Sequence, residues 1–225
     1  MLEMAAPLKL RRGDHLVLAT HNGGKLREFQ DLLEPFGLAL VSAGELGLPE
    51  PEETGTTFIE NARIKARAAA AAANMLALAD DSGLCVDAIG GKPGVYTANW
   101  AGSGFNGGRD YMIGMRRVED ALQAANATTP AERRGSFNAT LCLAHPDGRE
   151  SVFEGAVFGT LVWPPRGDKG FGFDPVFMPD GFDITFGEMP SSAKHAWSHG
   201  QTGLSHRARA FAKFVEEALG GGVEH

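Results

Sequence analysis

The stretch LADDSGL (Leu78–Leu84) is the most informative part of the sequence, because here an apolar run ends in two adjacent acids, a serine and a glycine. We predict a short buried strand over 76–79, stopped by a turn at Ser82-Gly83. Buried carboxylates need an ionic, hydrogen-bonding or metal partner. Because side chains alternate along a strand, Asp80 and Asp81 are expected to face opposite sides. The alternative is that both acids simply cap the next turn.

The chain before this stretch predicts alternating strands and helices. A strand over 15–20 leads into a helix over 26–36, and a second strand follows over 38–42. Thr57 and Glu60 fit a capping box for another helix, which continues through an alanine run at 68–73. This order of elements favours an α/β fold with helices packed on a sheet.

Composition narrows the class of protein. The 225 residues carry a formal net charge of -7, which argues against partners such as nucleic-acid polymers or anionic membranes. A small anionic substrate needs only a local basic cluster and is still allowed. No apolar run is long enough to span a bilayer, and residues 1–14 lack the order of a signal peptide. Cys85 and Cys142 suggest free thiols in a reducing compartment, so a cytoplasmic location is expected.

A strand, a glycine-rich junction and a helix follow one another at Thr20–Lys25. Glycines let the backbone approach a ligand, and the amides and dipole of a helix start attract anions. The spacing is not that of a Walker A motif. A structural glycine turn with a surface lysine explains the pattern equally well. The candidate phosphate contacts are Thr20, His21, Asn22, Gly23, Gly24 and Lys25.

Later segments offer candidate contacts for a base. Phe171, Gly172, Phe173 and Asp174 place aromatic rings beside an acceptor, which suits stacking of a planar ring, although core aromatics are the usual explanation. Ser205 is a candidate N-cap for the last helix. Basic residues near that helix start are Lys194, His206 and Arg207.

These segments together suggest nucleotide binding. Three groups suit phosphates or a base, namely Thr20–Lys25, Phe171–Asp174 with Lys194, and His206-Arg207, and two further groups are acidic. The acidic groups are Glu53 and Asp80-Asp81. Acids beside a polyphosphate imply a bridging Mg²⁺, which prefers one or two carboxylates plus waters and phosphate oxygens. The residues alone therefore predict a metal-dependent nucleotide-binding enzyme.

Six motifs, spread over most of the chain, make the prediction more specific. In order they are LVLATHNGGKLREF, EETGTTFIENARIKA, ADDSGLCVDAIGGKPGVYTANWAG, GFGFDPVF, TFGEM and LSHRARAF. With them the sequence resembles the inosine/xanthosine triphosphate pyrophosphatase family. The resemblance implies an α/β fold with a mixed central β-sheet flanked by helices, two lobes with a cleft between them, a homodimer and a Mg²⁺ requirement. We predict a leader at 1–14 that is a candidate for disorder, one two-lobed domain at 15–219, and a tail at 220–225.

The resemblance also implies a role for each matching residue. Asp81 is the implied catalytic residue and a metal ligand, with Glu53 as the other metal ligand. Ser82 is an implied substrate contact. Thr20–Lys25 would hold the triphosphate. Phe171–Asp174 would frame the purine. Lys194, His206 and Arg207 would complete recognition of the base and phosphates.

The implied reaction hydrolyses non-standard purine nucleoside triphosphates (ITP, dITP, XTP) to monophosphate and pyrophosphate, which cleanses the nucleotide pool. The alternatives are a pyrophosphatase for other modified nucleotides and a non-catalytic nucleotide-binding sensor. Two departures from the family pattern stand out: His21 replaces a small residue, and an insertion at 195–204 separates Lys194 from the last helix. Asp80 is assigned support, or a second, water-mediated metal contact.

Overall fold

The computed structural model describes residues 8–21, 23–103, 108–195, 197–198 and 201–220. Parts of the predicted features therefore lie outside the described residues. These parts are residues 1–7 of the predicted leader, Asn22 of the predicted phosphate loop, 196 and 199–200 of the insertion, and 221–225 of the predicted tail.

The described elements alternate as predicted in the first part of the chain and become more irregular later. In chain order they are β1 (His15–Leu18), α1 (Gly23–Leu33), β2 (Ala39–Ser42), α2 (Phe58–Ala73), β3 (Leu76–Val86), β4 (Lys92–Pro93), α3 (Thr97–Trp100), α4 (Tyr111–Ala124), β5 (Arg134–Ala144), β6 (Glu150–Leu161), β7 (Phe177–Pro179), α5 (Ser191–His195), β8 (Trp197–Ser198), β9 (Gln201–Thr202) and α6 (His206–Ala218).

Seven of the described strands form one mixed sheet, in the order β2-β1-β3-β5-β6-β7, with β4 paired to β3. Strand β1 runs parallel to both β2 and β3. Strand β4 runs antiparallel to β3, and β7 runs antiparallel to β6. The predicted α/β class with a mixed central sheet is thereby confirmed. Strands β8 and β9 pair with each other inside the 195–204 insertion.

Two compact units make up the chain, and the division falls between Asp81 and Ser82, which are consecutive residues of β3. Unit 1 holds Met1–Asp81, Thr140–Glu154 and Ala210–His225, and unit 2 holds Ser82–Ala139 and Gly155–Arg209. Each unit has its own apolar core. The cleft between two lobes and the domain limits 15–219 stay predictions.

The core of unit 1 packs α2 against the sheet through small side chains. Ala62, Ala66 and their alanine neighbours on α2 contact Ala77 and Ala79 of β3. The predicted capping box starts this helix: the Thr57 side chain accepts from the Glu60 amide, and Glu60 accepts in return. An alanine face permits close approach, so Ala77 and Ala79 of β3 lie directly beneath α2.

The predicted turn at Ser82-Gly83 is wrong, because β3 continues without interruption from Leu76 to Val86. Leu84 and Val86 are fully buried and prolong the apolar alternation beyond the two acids. Glycine within a strand marks a place of close backbone approach as often as it marks a strand end. The two acids therefore lie in the middle of a long strand.

The described part of the predicted leader lies against α6. Leu8 and Leu10 are buried, and the Leu10 amide donates to the Ala218 carbonyl at 2.8 Å. Among the described helices, none is both long and apolar enough to cross a membrane.

Both cysteines are free, as predicted. The environment of Cys142 leads to a testable prediction about the reactivity of its thiol. Cys142 is fully buried, and burial raises the pKa of its thiol from 9.0 to about 12, with a further contribution from Glu150. A thiolate is the reactive form, so at pH 8 Cys142 has about a thousandfold less of it than an ordinary cysteine. We expect Cys142 to resist iodoacetamide at pH 8 in the folded protein and to react at once in denaturant, as peptide mass mapping would show. Rapid native alkylation of Cys142 would contradict this burial.

Candidate active site

A cluster of alternating charges surrounds the two acids of β3 in unit 1. Asp80 and Asp81 are only 5% and 6% exposed. Lys25 forms an ion pair with Asp80. Lys65 Nζ lies 2.7 Å from Glu53 Oε1 and 3.2 Å from Asp81 Oδ1, so it bridges these two carboxylates. We call these five residues the acid–lysine cluster.

Strand geometry explains why each aspartate has its own lysine. Ala77 and Ala79 contact α2, so Asp81, two residues further along, faces the same side. Its partner Lys65 comes from α2, whereas Lys25, the partner of Asp80, comes from α1. The predicted orientation of the two acids toward opposite sides agrees with these separate partners.

Lys65 is the residue of this cluster that sequence analysis missed. Its position on the helix nevertheless carries a signal. Lys65 follows Asn61 by one helical turn and precedes Ala69 by another, so it belongs to the buried alanine face. Lysine is almost never buried unless it is paired. A lysine on an otherwise apolar helix face therefore indicates an acidic partner.

The loop that carries Glu53 is fixed by the start of α2. The buried Asn61 side chain accepts a hydrogen bond from the Gly55 amide at 2.8 Å. A Cβ atom at Gly55 would lie 2.6 Å from both Asn61 Oδ1 and Glu60 Cβ, so only glycine fits. The amides of Thr56 and Thr57 donate to Glu60 just beyond. Glu53 therefore lies two residues before Gly55, whose backbone is held in place by Asn61.

The electrostatics of the cluster favour cations. Burial raises the pKa of Asp81, Glu53 and Asp80 raise it further, and the charges of Lys65 and Lys25 only partly oppose them. Burial alone would lower the pKa of Lys65, but Asp81 and Glu53 raise it above its ordinary value. The raised pKa of Asp81 and the raised pKa of Lys65 have one cause, because the cluster holds three carboxylates and two ammonium groups. Its surplus of negative charge attracts a proton or a metal ion.

The donor set suits a divalent metal, although no complete site is assembled. Among the described residues, no three His, Cys, Asp or Glu side chains are gathered as metal ligands. However, the buried Asp81 Oδ2 accepts a hydrogen bond from none of the described residues. Such an atom is costly to leave unsatisfied. Mg²⁺ needs only one or two carboxylates, since waters and phosphate oxygens fill its other positions. Glu53 and Asp81 therefore fit the predicted metal ligands.

The predicted phosphate loop joins β1 to α1. Helix α1 begins at Gly23 and has no acid in its first turn, which leaves its N-terminal dipole available to an anion. The exposed His21 forms a hydrogen bond through Nε2 with the Leu48 carbonyl at 3.0 Å. His21 and Lys65 also line a small cavity of about 90 Å³. The structure thus brings Lys25 to the acids, whereas His21 contacts the loop that precedes Glu53.

Unit 2 contains the other predicted substrate contacts, which we call the aromatic–basic cluster: Ser82, Phe171–Asp174, Lys194, His206 and Arg207. Phe171 is 55% exposed, whereas Phe173 is buried with its ring edge-on to Tyr111. Phe171 alone of the two can therefore stack on a ligand. The alternative reading of these aromatics as core residues holds for Phe173.

The start of α6 positions the basic residues of this cluster. Ser205 caps the helix as predicted, since its Oγ accepts from the Ala208 amide at 3.1 Å. The buried Arg207 donates to Ser82 Oγ at 3.1 Å. His206 stacks on Phe137 with a centroid distance of 5.1 Å and an interplanar angle of 17°. Three predicted substrate contacts of unit 2 are therefore fixed by protein contacts around the α6 N-terminus.

Comparison with known proteins decides the family. A family model described as the Ham1 family matches residues 16–217. The chain belongs to the Ham1 family. The resemblance predicted from the six motifs is confirmed, because curated relatives are named dITP/XTP pyrophosphatase.

Two of these relatives and one solved Ham1 structure give the extent of the similarity. A dITP/XTP pyrophosphatase of Mesorhizobium japonicum is 59% identical, with 92% of this chain and 94% of the relative covered. One of Brucella melitensis is 58% identical, with 91% and 93% covered. The structure of a HAM1 protein from Coxiella burnetii superposes with a TM-score of 0.78 at 33% identity, covering 90% of this chain and 96% of that one.

Proposed function

We propose that this Ham1 chain hydrolyses non-standard purine nucleoside triphosphates, with dITP and XTP as the leading substrates, to monophosphate and pyrophosphate. The observation that carries the proposal is the buried Asp81 carboxylate, which has one oxygen on Lys65 and the other without a partner among the described residues. The relatives named dITP/XTP pyrophosphatase support the substrate class.

Asp81 acts on the attacking water. Its raised pKa makes the carboxylate a stronger base than an ordinary aspartate, which favours proton removal from water near neutral pH. The charge of Lys65 opposes that shift and favours the ionised form of Asp81. Oδ2 is the oxygen left for both the water and the metal, because Oδ1 is held by Lys65 at 3.2 Å.

Charge on the substrate is balanced within the acid–lysine cluster. Glu53 and Asp81 would hold Mg²⁺, which when bound supplies Lewis-acid polarisation of the phosphate oxygens. Lys25 and the first amides of α1 attract the phosphate chain. Asp80 holds Lys25 and so keeps the ammonium beside the strand. Such positioning and charge stabilisation dominate phosphoryl-type transfer.

The aromatic–basic cluster selects the base. Phe171 offers an exposed ring for stacking, and Ser82, His206 and Arg207 supply polar groups. A 6-oxo purine satisfies donors that a 6-amino purine leaves unpaired, at a cost of roughly 1–3 kcal/mol per group. The Mg²⁺ requirement, a homodimer and a cytoplasmic location belong to the same proposal, and light scattering with the purified protein would test the dimer.

A substrate panel tests this function. Purified protein with Mg²⁺ is given ITP, dITP, XTP, GTP, ATP, dTTP and UTP, and the products are separated by ion-exchange chromatography. We expect monophosphate and pyrophosphate, with kcat/KM for dITP and XTP about tenfold or more above that for ATP, whose base carries the 6-amino group. Nucleoside diphosphate as product would refute cleavage at the α–β bond. Preference for a pyrimidine would indicate another modified-nucleotide pyrophosphatase, and binding without turnover would indicate a sensor.

A further inference from the structure

The side chain of His21 connects two loops of unit 1 that are distant in sequence. His21 lies in the predicted phosphate loop, and its Nε2 is 3.0 Å from the carbonyl oxygen of Leu48. A carbonyl oxygen only accepts, so Nε2 carries the proton and donates. Leu48 precedes residues 49–54, here called the acidic loop, which carries Glu53. A small residue at position 21, as the family pattern leads one to expect, could not reach this carbonyl.

The backbone of Leu48 is also held from its other side. Its amide donates to the Ala43 carbonyl at 2.9 Å, and the Ala43 amide donates to the carbonyl of Leu18, the last residue of β1, at 2.9 Å. Both polar groups of the Leu48 backbone are therefore tied to the end of β1. The amide is tied through the turn that follows β2, and the carbonyl is tied through His21.

The acidic loop has few contacts of its own. Residues 49–52 form no hydrogen bond with the described part of the chain. Pro49 and Pro51 have no amide proton to donate. A cavity of about 90 Å³ is lined by both prolines and by alanines of α2, so this stretch does not pack tightly on the helix. The position of Glu53 therefore depends on how the two ends of the loop are held.

We propose that His21 is a positioning residue that joins the predicted phosphate loop to the acidic loop and so holds Glu53 in place for a divalent metal. Glu53 has a second support in Lys65, at 2.7 Å, but that ammonium group is shared with Asp81. Lys65 restrains the carboxylate, whereas His21 restrains the backbone that carries it. The metal rests on the proposed function, whereas the link between the two loops does not.

The first test measures amide hydrogen exchange in the metal-free and nucleotide-free protein with His21→Phe. Phenylalanine keeps a planar ring beside the cavity and removes the donor, so packing is separated from hydrogen bonding. We expect peptides covering 46–55 to exchange at least about tenfold faster than in wild type, since local opening sets these rates. His21→Gln has an amide N–H at a similar reach and should restore slow exchange.

The matched control is His15→Phe, which makes the same change at the exposed start of β1. His15 lies outside both loops, so exchange in 46–55 should equal that of wild type. His21→Ala also lacks the donor and covers the case in which the larger ring disturbs folding. Wild-type exchange in His21→Phe or His21→Ala would overturn the proposal. Equally fast exchange in His21→Gln and His21→Phe would contradict it too, because the hydrogen bond would then not be the cause.

The dependence on metal separates this inference from the proposed function. In His21→Phe, the Mg²⁺ concentration that gives half the maximal rate with dITP should rise by about tenfold, as expected for a contact that supports a metal ligand. The value of kcat at saturating Mg²⁺ should fall by a smaller factor. A higher KM for dITP with unchanged Mg²⁺ dependence would show that His21 acts on the phosphates alone, and would contradict the positioning role. A wild-type protein inactive on dITP would refute the function and leave exchange in the metal-free protein to decide the link.

Discussion

Asp81→Asn is expected to yield a folded protein whose kcat with dITP is lower by roughly 10²- to 10⁴-fold. Asparagine keeps the shape of the side chain but cannot take a proton from water. It also removes one of the two carboxylates that would hold Mg²⁺. The measurement is steady-state pyrophosphate release at saturating Mg²⁺. Turnover close to wild type would remove Asp81 from its catalytic role.

Stability distinguishes a catalytic defect from a folding defect. Burial raises the pKa of Asp81, so the ionised form is disfavoured in the folded state. The corresponding loss of stability is absent below the ordinary pKa of 3.8 and complete above the raised value. Asparagine has no charge to bury, so Tm at pH 7.5 should be equal to that of wild type or higher.

The neighbouring acid provides the matched control. Asp80→Asn changes an equally buried carboxylate on the same strand and removes the ion pair with Lys25. We expect a smaller loss, seen mainly as a higher KM for nucleotide, because Lys25 loses its partner. If Asp80→Asn abolished kcat as completely as Asp81→Asn, the division of labour between the two acids would be wrong.

Interactions between residues close together in sequence made much of the fold predictable. The Thr57–Glu60 capping box, the alanine helix and the Ser205 cap depend on residues close together in sequence, and all are present. The turn predicted at Ser82-Gly83 failed because local propensity competed with an apolar alternation that continues to Val86. Burial in a sheet outweighed the turn preference of Ser and Gly, as happens when tertiary packing opposes propensity.

The types of residue in the candidate site were predictable from the sequence, but which lysine pairs with which acid was not. Sequence analysis found Asp81, Glu53 and Lys25 from motif chemistry. It missed Lys65, whose partners lie on a strand and a loop distant along the chain. The resemblance implies that Lys194 helps to recognise the base and phosphates, and only the fold shows that its ammonium donates to Asp174 Oδ2.

Lys65→Met is the second change with a large expected effect. The substitution leaves Glu53 and Asp81 close together with no cation between them in the described structure. Removing one partner of a buried ion pair costs about 3–5 kcal/mol, and we expect roughly 3 kcal/mol here because Glu53 is exposed. The pKa of Asp81 then rises further, since Lys65 is the strongest charge that lowers it. The loss of stability should be full at neutral pH and shrink as the pH falls and the carboxyl group is protonated.

Added Mg²⁺ distinguishes this electrostatic explanation from a packing defect. A divalent cation can replace the missing charge, so Mg²⁺ should raise the Tm of Lys65→Met more than that of wild type. The matched control is Arg67→Met, two residues along the same helix, where an exposed ion pair with Glu150 contributes about 1 kcal/mol or less. Its Tm should change little, with the same Mg²⁺ response as wild type. If Lys65→Met melted like wild type and ignored Mg²⁺, the acid–lysine cluster would not be a cation site, because its surplus negative charge would then be balanced without Lys65.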